Sequence, residues 1–393
     1  MAACQKDCRP EPQDRRAMVR IILDEINVHT PKRKELHAIA QQIVAKYKKS
    51  FADVINGKVI GDGSSTLLQQ LESRKENLNR HSDQKKRSKS TSESCAETSS
   101  KKAKKDLNSF GCLKDQWQPE LPEGEENEMQ QQKKKQLQDE YEKFSWNTHN
   151  IDGLMKDTYS LQRQNINNMT SIEDVLKQWP FLAEEKWMLE HFCSLTGINL
   201  VDILNSTMVS KASRLLAYLR TKTCPASLVQ ATRDVIEAGN KHQNRPAVIL
   251  QGLPVILAAY FKEDLSLLIR CYDEGTARAV VERDLPSTPC ILIVGDMYAP
   301  TCTCMLSVDG HILNVAITAE KSLLMLFASY YVFNIEYPKA VSCSLDFIQR
   351  FFVGINPGEG CKISGKKGLT VSGRVFSLAN LMAVFESDWT NEL

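Results

Sequence analysis

Near the C-terminus, residues 360–367 read GCKISGKK, one position away from the G-x-x-x-x-G-K-[ST] pattern that cradles nucleotide phosphates. Gly360, Gly365 and Lys366 have the required spacing, and Lys367 stands where the Mg²⁺-binding hydroxyl belongs. A phosphate cradle also needs a strand before its glycines and a helix after them, so that backbone N–H groups and a helix N-terminus converge on the anion. Here SLDFIQRFFVG reads as a helix, INPGEG breaks it, and GLTVSG follows with two more glycines and strand-preferring residues. The stretch is read as an exposed connector with no nucleotide expected, in which Lys362, Lys366 and Lys367 offer a small basic patch.

Thiols are the next chemistry on offer. In TCTCM, Cys302 and Cys304 fall on one face of a strand, because alternate side chains share a face. Two thiols are half of a zinc site, and no second C-x-x-C or nearby histidine pair completes it; Cys290, Cys343 and Cys361 are distant in sequence. His191 and Cys193 lie within a helix whose apolar positions include Trp187, Phe192 and Leu195, which places them in packing rather than catalysis. With no G-x-S-x-G, no H-E-x-x-H and no paired carboxylates in a persuasive context, no catalytic residue, metal or cofactor is expected.

The charged segments say more. Lys85, Lys86, Arg87 and Lys89 form one basic cluster and Lys101, Lys102, Lys104 and Lys105 a second, separated by a Ser/Thr/Glu-rich spacer. This is the layout of a bipartite nuclear-import signal, because two clusters on a flexible tether reach two acidic sites of an import carrier at high effective concentration. The flanking serines would let phosphate weaken that contact. In LLQQLESRKENLNR, Arg74, Lys75 and Arg80 stand away from the leucine face and are candidates for contact with the phosphates of duplex DNA.

The elements that position these residues follow from periodicity. Residues 14–80 read as a helical module of three short helices: one carrying Val19, Ile22, Leu23 and Ile26, one from Pro31 with Thr30 as N-cap, and one after the turn-rich NGKVIGDGSS. The second helix presents Leu36, Ile39, Ala40, Ile43, Val44 and Tyr47, and the third Leu67, Leu68, Leu71 and Leu78. Residues 81–131 are expected to be a disordered charged linker, since few large apolar residues are present to offset the entropy of ordering. Residues 132–168 form a helical connector, and residues 169–393 an α+β module in which helices precede a small, mainly antiparallel sheet. Within it, Thr170 and Glu173 have capping-box spacing, Pro180 ends the first helix, and Gly197 closes the next. AVIL and PCILIVGD read as strand-like runs, and Asp309-Gly310 is the strongest hairpin signal of the chain.

Composition sets the frame. The +2 net charge of the 393 residues divides unevenly: residues 1–168 hold 30 basic against 25 acidic side chains, and residues 169–393 hold 20 against 23. Any polyanion partner is therefore expected at the N-terminal part. MAACQKDCRPEPQ has no apolar core of a secretory signal, and the longest apolar runs fall short of the roughly 18–20 residues that cross a bilayer, so a soluble intracellular chain with reduced thiols is expected.

Two groups of segments carry a resemblance. TPKRKELHAIAQQIVAKYKKSFAD with GDGSSTLLQQLESRKENLNR, and LPSTPCILIVGD, MLSVDGHILNVAI and YYVFNIEYPKAVSCSLDFIQRFFVGINP, resemble the sterile alpha motif domain-containing protein 3-like family. The resemblance covers about two-thirds of the chain and skips the linker. No stretch shows the five-helix pattern of a sterile alpha motif domain itself, which removes the usual ground for expecting self-polymerisation. What the resemblance implies is a multidomain intracellular protein with no active-site residues to carry over. The sequence thus points to a non-enzymatic protein-interaction module, nuclear and also cytoplasmic, with protein partners and a weak DNA contact. The competing expectation is an enzyme whose active site is dispersed through the C-terminal α+β module.

Overall fold

Residues 9–26, 31–55, 57–83, 119–168, 171–222, 224–242, 244–357, 361–363 and 371–385 are described by the structure, a computed structural model. Both basic clusters of the linker, Lys85–Lys89 and Lys101–Lys105, lie outside the described residues, as do Gly360 and the segment 364–370.

The N-terminal part is the expected trio: α1 (Pro12–Ile26), α2 (Arg33–Lys46) and α3 (Ser65–Asp83). Their apolar faces close on Val19, Leu23, Leu36, Ala40, Val44 and Leu71, with Phe51 from a single helical turn filling the centre. α2 starts two residues later than Pro31: Lys32 is the N-cap, and its N–H donates to the Glu35 carboxylate at 2.7 Å. Between α2 and α3 runs a small hairpin, β1 (Val54–Ile55) and β2 (Lys58–Val59). Asp53 and Asp62 tie this hairpin to its neighbours. Asp53 is buried and accepts from the Thr66 N–H at 2.7 Å, holding the start of α3. Asp62 accepts from the Ser64 N–H and hydroxyl, from the Gln41 amide, and pairs with His37 at 2.8 Å.

The chain continues in α4 (Asn127–Tyr141), which begins inside the stretch expected to be linker. Leu137 is fully buried, and Gln130 is buried too, its amide donating to the Asp157 carbonyl at 2.9 Å, so this helix has the packing partner that its polar sequence hides. α5 (Thr148–Asp157), α6 (Tyr159–Asn168) and α7 (Ile172–Gln178) follow. Ser171 caps α7 by accepting from the Asp174 N–H, and Thr170 lies outside the described residues; α7 stops at Trp179 before Pro180, as the proline requires. α8 (Glu185–Thr196) closes on Gly197 in the left-handed conformation (φ +70), a backbone state that costs a side-chain-free residue little.

α9 (Leu200–Arg220) widens into a π turn over Leu204–Met208. α10 (Ala226–Lys241) and α11 (Arg245–Phe261) form an antiparallel pair. α11 corrects the strand expected at AVIL: Asn244 accepts from the Ala247 N–H as N-cap, Pro246 occupies the first turn, and nearly every residue thereafter is buried. An apolar run has no period with which to distinguish a buried helix from a strand. No single helix among the described residues is long and apolar enough to cross a membrane.

A four-stranded sheet follows in the order β3 (Ile269–Tyr272), β4 (Cys290–Val294), β5 (Thr303–Val308) and β6 (His311–Ile317). β4, β5 and β6 are antiparallel neighbours and β3 joins β4 in parallel, so the fold is α+β with a mainly antiparallel sheet. The β5–β6 turn is Asp309-Gly310, with φ +53 and +76, the two positive values a tight hairpin needs. Ile291, Ile293, Leu306 and Val308 face the large core, whereas Cys290, Leu292 and Met305 face a small second cluster. α12 (Ala319–Val332) lies across the inner face, buried along almost its whole length. α13 (Ser342–Phe347) continues into the π-helical Ile348–Val353, and α14 (Gly373–Val384) ends the described chain. Glu263 caps α13 from outside, its carboxylate accepting from the Cys343 and Ser344 N–H groups at 2.7 and 2.9 Å. α14 packs against β1, and Ile55 and Ile60 of the hairpin region belong to the large core.

A candidate anion-binding cleft

Where α1, α3 and the first turn of α14 meet, they leave a cleft of about 590 Å³. Its lining includes four arginines, Arg16, Arg20, Arg74 and Arg374, and, among the described residues, no carboxylate. Spacing explains two of them: Arg16 and Arg20 are four apart, on the same face of α1, beside the buried Val19. Arg74 comes from the same face of α3 as Gln70, which is fixed by a 2.8 Å hydrogen bond from the Arg15 Nε. Arg374 is the second residue of α14; it lies over the Phe261 ring at 5.4 Å and donates to the Phe261 carbonyl. Ser372 caps α14, its hydroxyl accepting from the Arg374 N–H at 3.3 Å.

Electrostatics separate this wall from the cations beneath it. Arg9 and Arg15 lie deeper, and burial lowers both of their pKa values against the charge of Asp53. Burial raises the Asp53 pKa, opposed by the Thr66 hydrogen bonds and by Arg15 and Arg9. Arg16, Arg20 and Arg74 have no ion pair among the described residues, and the Arg74 Nε is buried without a hydrogen-bond partner there. Four like charges around one concavity repel each other and favour an anion that enters between them, and guanidinium forks suit planar two-oxygen groups such as carboxylate or phosphate.

The sequence-derived candidates fare unevenly against this geometry. Arg74 lines the cleft, but half-buried instead of standing in solvent. Lys75 turns the other way, its Nζ donating to the Pro31 carbonyl at 2.5 Å, so it braces the α2 entry. The Arg80 side chain is outside what the structure describes. Arg16, Arg20 and Arg374 were missed: the four-residue spacing on α1 was a readable signal, but nothing local links α1 to a residue 350 positions onward.

Lys362 is corrected outright. It is 3% exposed, its Nζ sits 4.8 Å from the Tyr331 ring centroid, and its carbonyl accepts from the Tyr337 N–H. A helix ending at Gly354 and an isolated bridge at Ile363 stand where a phosphate cradle would need a strand. His191 is buried; its Nδ1 pairs with the Gln162 Oε1 at 3.0 Å, and burial followed by the nearby Arg163 charge pushes its pKa well down, so it is neutral and closed to substrate. Cys302 and Cys304 do come together, at 3.8 Å between sulfurs, yet among the described residues no group of three or more His, Cys, Asp or Glu is placed to hold a metal ion.

Comparison with known proteins adds two findings. Residues 130–184, from within α4 through α5, α6 and α7 to the residue before α8, match the helical domain of sterile alpha motif domain-containing protein 3. Human sterile alpha motif domain-containing protein 3 is 23% identical over 219 residues, which is 55% of this chain and 39% of that protein. The match therefore spans well under half the length of that relative. No solved structure matches. Both findings support the resemblance read from the sequence as a similarity to sterile alpha motif domain-containing protein 3; the family-model match falls at residues 130–184, outside the segments that first carried it.

Proposed function

We propose that this chain is a non-enzymatic protein-interaction protein of the nucleus, and that the cleft between α1, α3 and α14 receives an anionic segment of a protein partner. The observation that carries the reading is the arginine-lined wall, which among the described residues holds no carboxylate. Its support from relatives is coarser: sterile alpha motif domain-containing protein 3-like chains are not a known enzyme family, and their name denotes a domain used in protein interaction. Duplex DNA is the less favoured anion. A recognition element enters a major groove about 12 Å wide as a convex face. Here Arg74 lines a concavity and Lys75 is engaged by Pro31, so α3 does not present a basic ridge.

The test is a fluorescence-anisotropy titration of the full chain with a labelled oligoglutamate peptide and its phosphoserine counterpart, at two salt concentrations. The wild type is expected to bind one of them, more weakly as salt rises. The Arg16→Ala, Arg20→Ala double variant is expected to bind about tenfold more weakly or worse, since a charge-assisted hydrogen bond contributes about 1.5–3 kcal/mol and 1.4 kcal/mol is tenfold. Equal binding by wild type and variant, or binding of a duplex oligonucleotide in preference to both peptides, would overturn the assignment.

A further inference from the structure

Outside the cleft, Cys302 and Cys304 bring two thiols together. Cys302 follows the turn that closes on the Ala299 carbonyl, just before β5; Cys304 is the second residue of β5. Their sulfurs are 3.8 Å apart. Cys302 is half-buried, and Cys304 is 0% exposed at the edge of the large core. From the opposite side α11 supplies Gln251, itself 4% exposed, whose Nε2 donates to both sulfurs, at 3.6 Å to Cys302 and 3.7 Å to Cys304. An amide N–H donated to sulfur favours the thiolate, whereas the apolar surroundings favour the neutral thiol.

We propose that Cys302 and Cys304 form a reversible dithiol–disulfide site that reacts with hydroperoxides, Cys302 attacking and Cys304 resolving. The order follows from access: an oxidant reaches the half-buried sulfur and not the buried one. The Cys302 thiolate sulfur attacks one peroxide oxygen, the O–O bond breaks, and the second oxygen leaves as water or alcohol after taking a proton. Cys302 is then a sulfenic acid. The Cys304 sulfur attacks the Cys302 sulfur, the S–O bond breaks, and the departing hydroxide takes the Cys304 proton as water. Two thiols lose two electrons in all, and the hydroperoxide gains them.

The surroundings agree with these roles. The Cys304 hydrogen bond, together with that of Gln251, pulls the Cys302 thiol down against the effect of burial, while the same contact and burial hold the proton on Cys304. A disulfide sulfur pair is about 2.05 Å apart, so the sulfurs must close from 3.8 Å. The irregular register after Cys304 and the turn before Cys302 are where the backbone can give. A bridge across one intervening residue is strained, which makes it readily reducible.

The test uses the full chain, treated with hydrogen peroxide under air-free conditions, alkylated with N-ethylmaleimide, digested and weighed. The peptide containing both cysteines is expected to be two hydrogens lighter and to carry no maleimide, and dithiothreitol is expected to restore both alkylation sites. In Cys304→Ala, which keeps the reactive sulfur, dimedone is expected to trap a sulfenic acid on Cys302. If both cysteines of the peroxide-treated wild type remain alkylatable, or if Cys302 proceeds to sulfinic acid or pairs with Cys271, the proposal fails. The wild-type mass shift decides the matter even if a variant does not fold.

Discussion

Asp62 shows how much a single side chain organises in the N-terminal trio. It collects hydrogen bonds from Ser64, Gln41 and His37, and these outweigh the opposing effect of burial to bring its pKa to about 2. A carboxylate held below its unfolded value of about 3.9 stabilises the fold above that value and loses the contribution as pH falls toward 2. Asp62→Asn is therefore expected to lower the melting temperature at pH 7, and the gap to wild type should narrow between about pH 4 and pH 2. A gap that is unchanged at acid pH would mean that the charge of Asp62 is not what ties the β1–β2 region to α2. Lys362 teaches the complementary lesson at this scale. Its type and its glycine-rich neighbours say solvent, whereas the Tyr331 ring and the Tyr337 N–H, neither adjacent in sequence, give it a buried place.

Among elements, α10 and α11 pack closely enough that Gly252 leaves no room for a side chain. A Cβ built on Gly252 would lie 2.2 Å from Cγ2 of Val235, which is fully buried and, being β-branched, has little freedom to turn away. Gly252→Ala is expected to cost about 1–3 kcal/mol, read from the urea midpoint. Combining it with Val235→Ala should cost less than the sum of the two single changes, because the second removes the clash. A wild-type midpoint for Gly252→Ala would show that the helices are not in such contact. Element types were largely legible: the three N-terminal helices, the end of α7 before Pro180, the Gly197 cap and the Asp309-Gly310 hairpin all follow local signals of period, cap or turn. The misreadings share a cause. AVIL became part of α11 because an unbroken apolar run carries no period, and α4 was undervalued because the polar Gln130 is buried by a hydrogen bond to the Asp157 carbonyl.

For the molecule as a whole, the charge split and the basic clusters bear on the proposed nuclear location. If the two clusters are an import signal, replacing Lys101, Lys102, Lys104 and Lys105 with Ala in a fluorescent fusion is expected to shift it from nucleus to cytoplasm. Unchanged localisation would remove these lysines from that role. By itself, the sequence determined the local elements, the α+β class, the placement of excess positive charge in the N-terminal part, and a resemblance that the match over residues 130–184 supports. These properties depend on neighbours a few positions apart. Only the tertiary structure decided that Arg16, Arg20 and Arg74 share a cleft with Arg374, that Gln251 donates to two sulfurs of β5 and its approach, and that Lys362 is buried. Each of those depends on contacts between segments far apart in the chain, fixed by which apolar faces pack together, and no local pattern of residues records that choice.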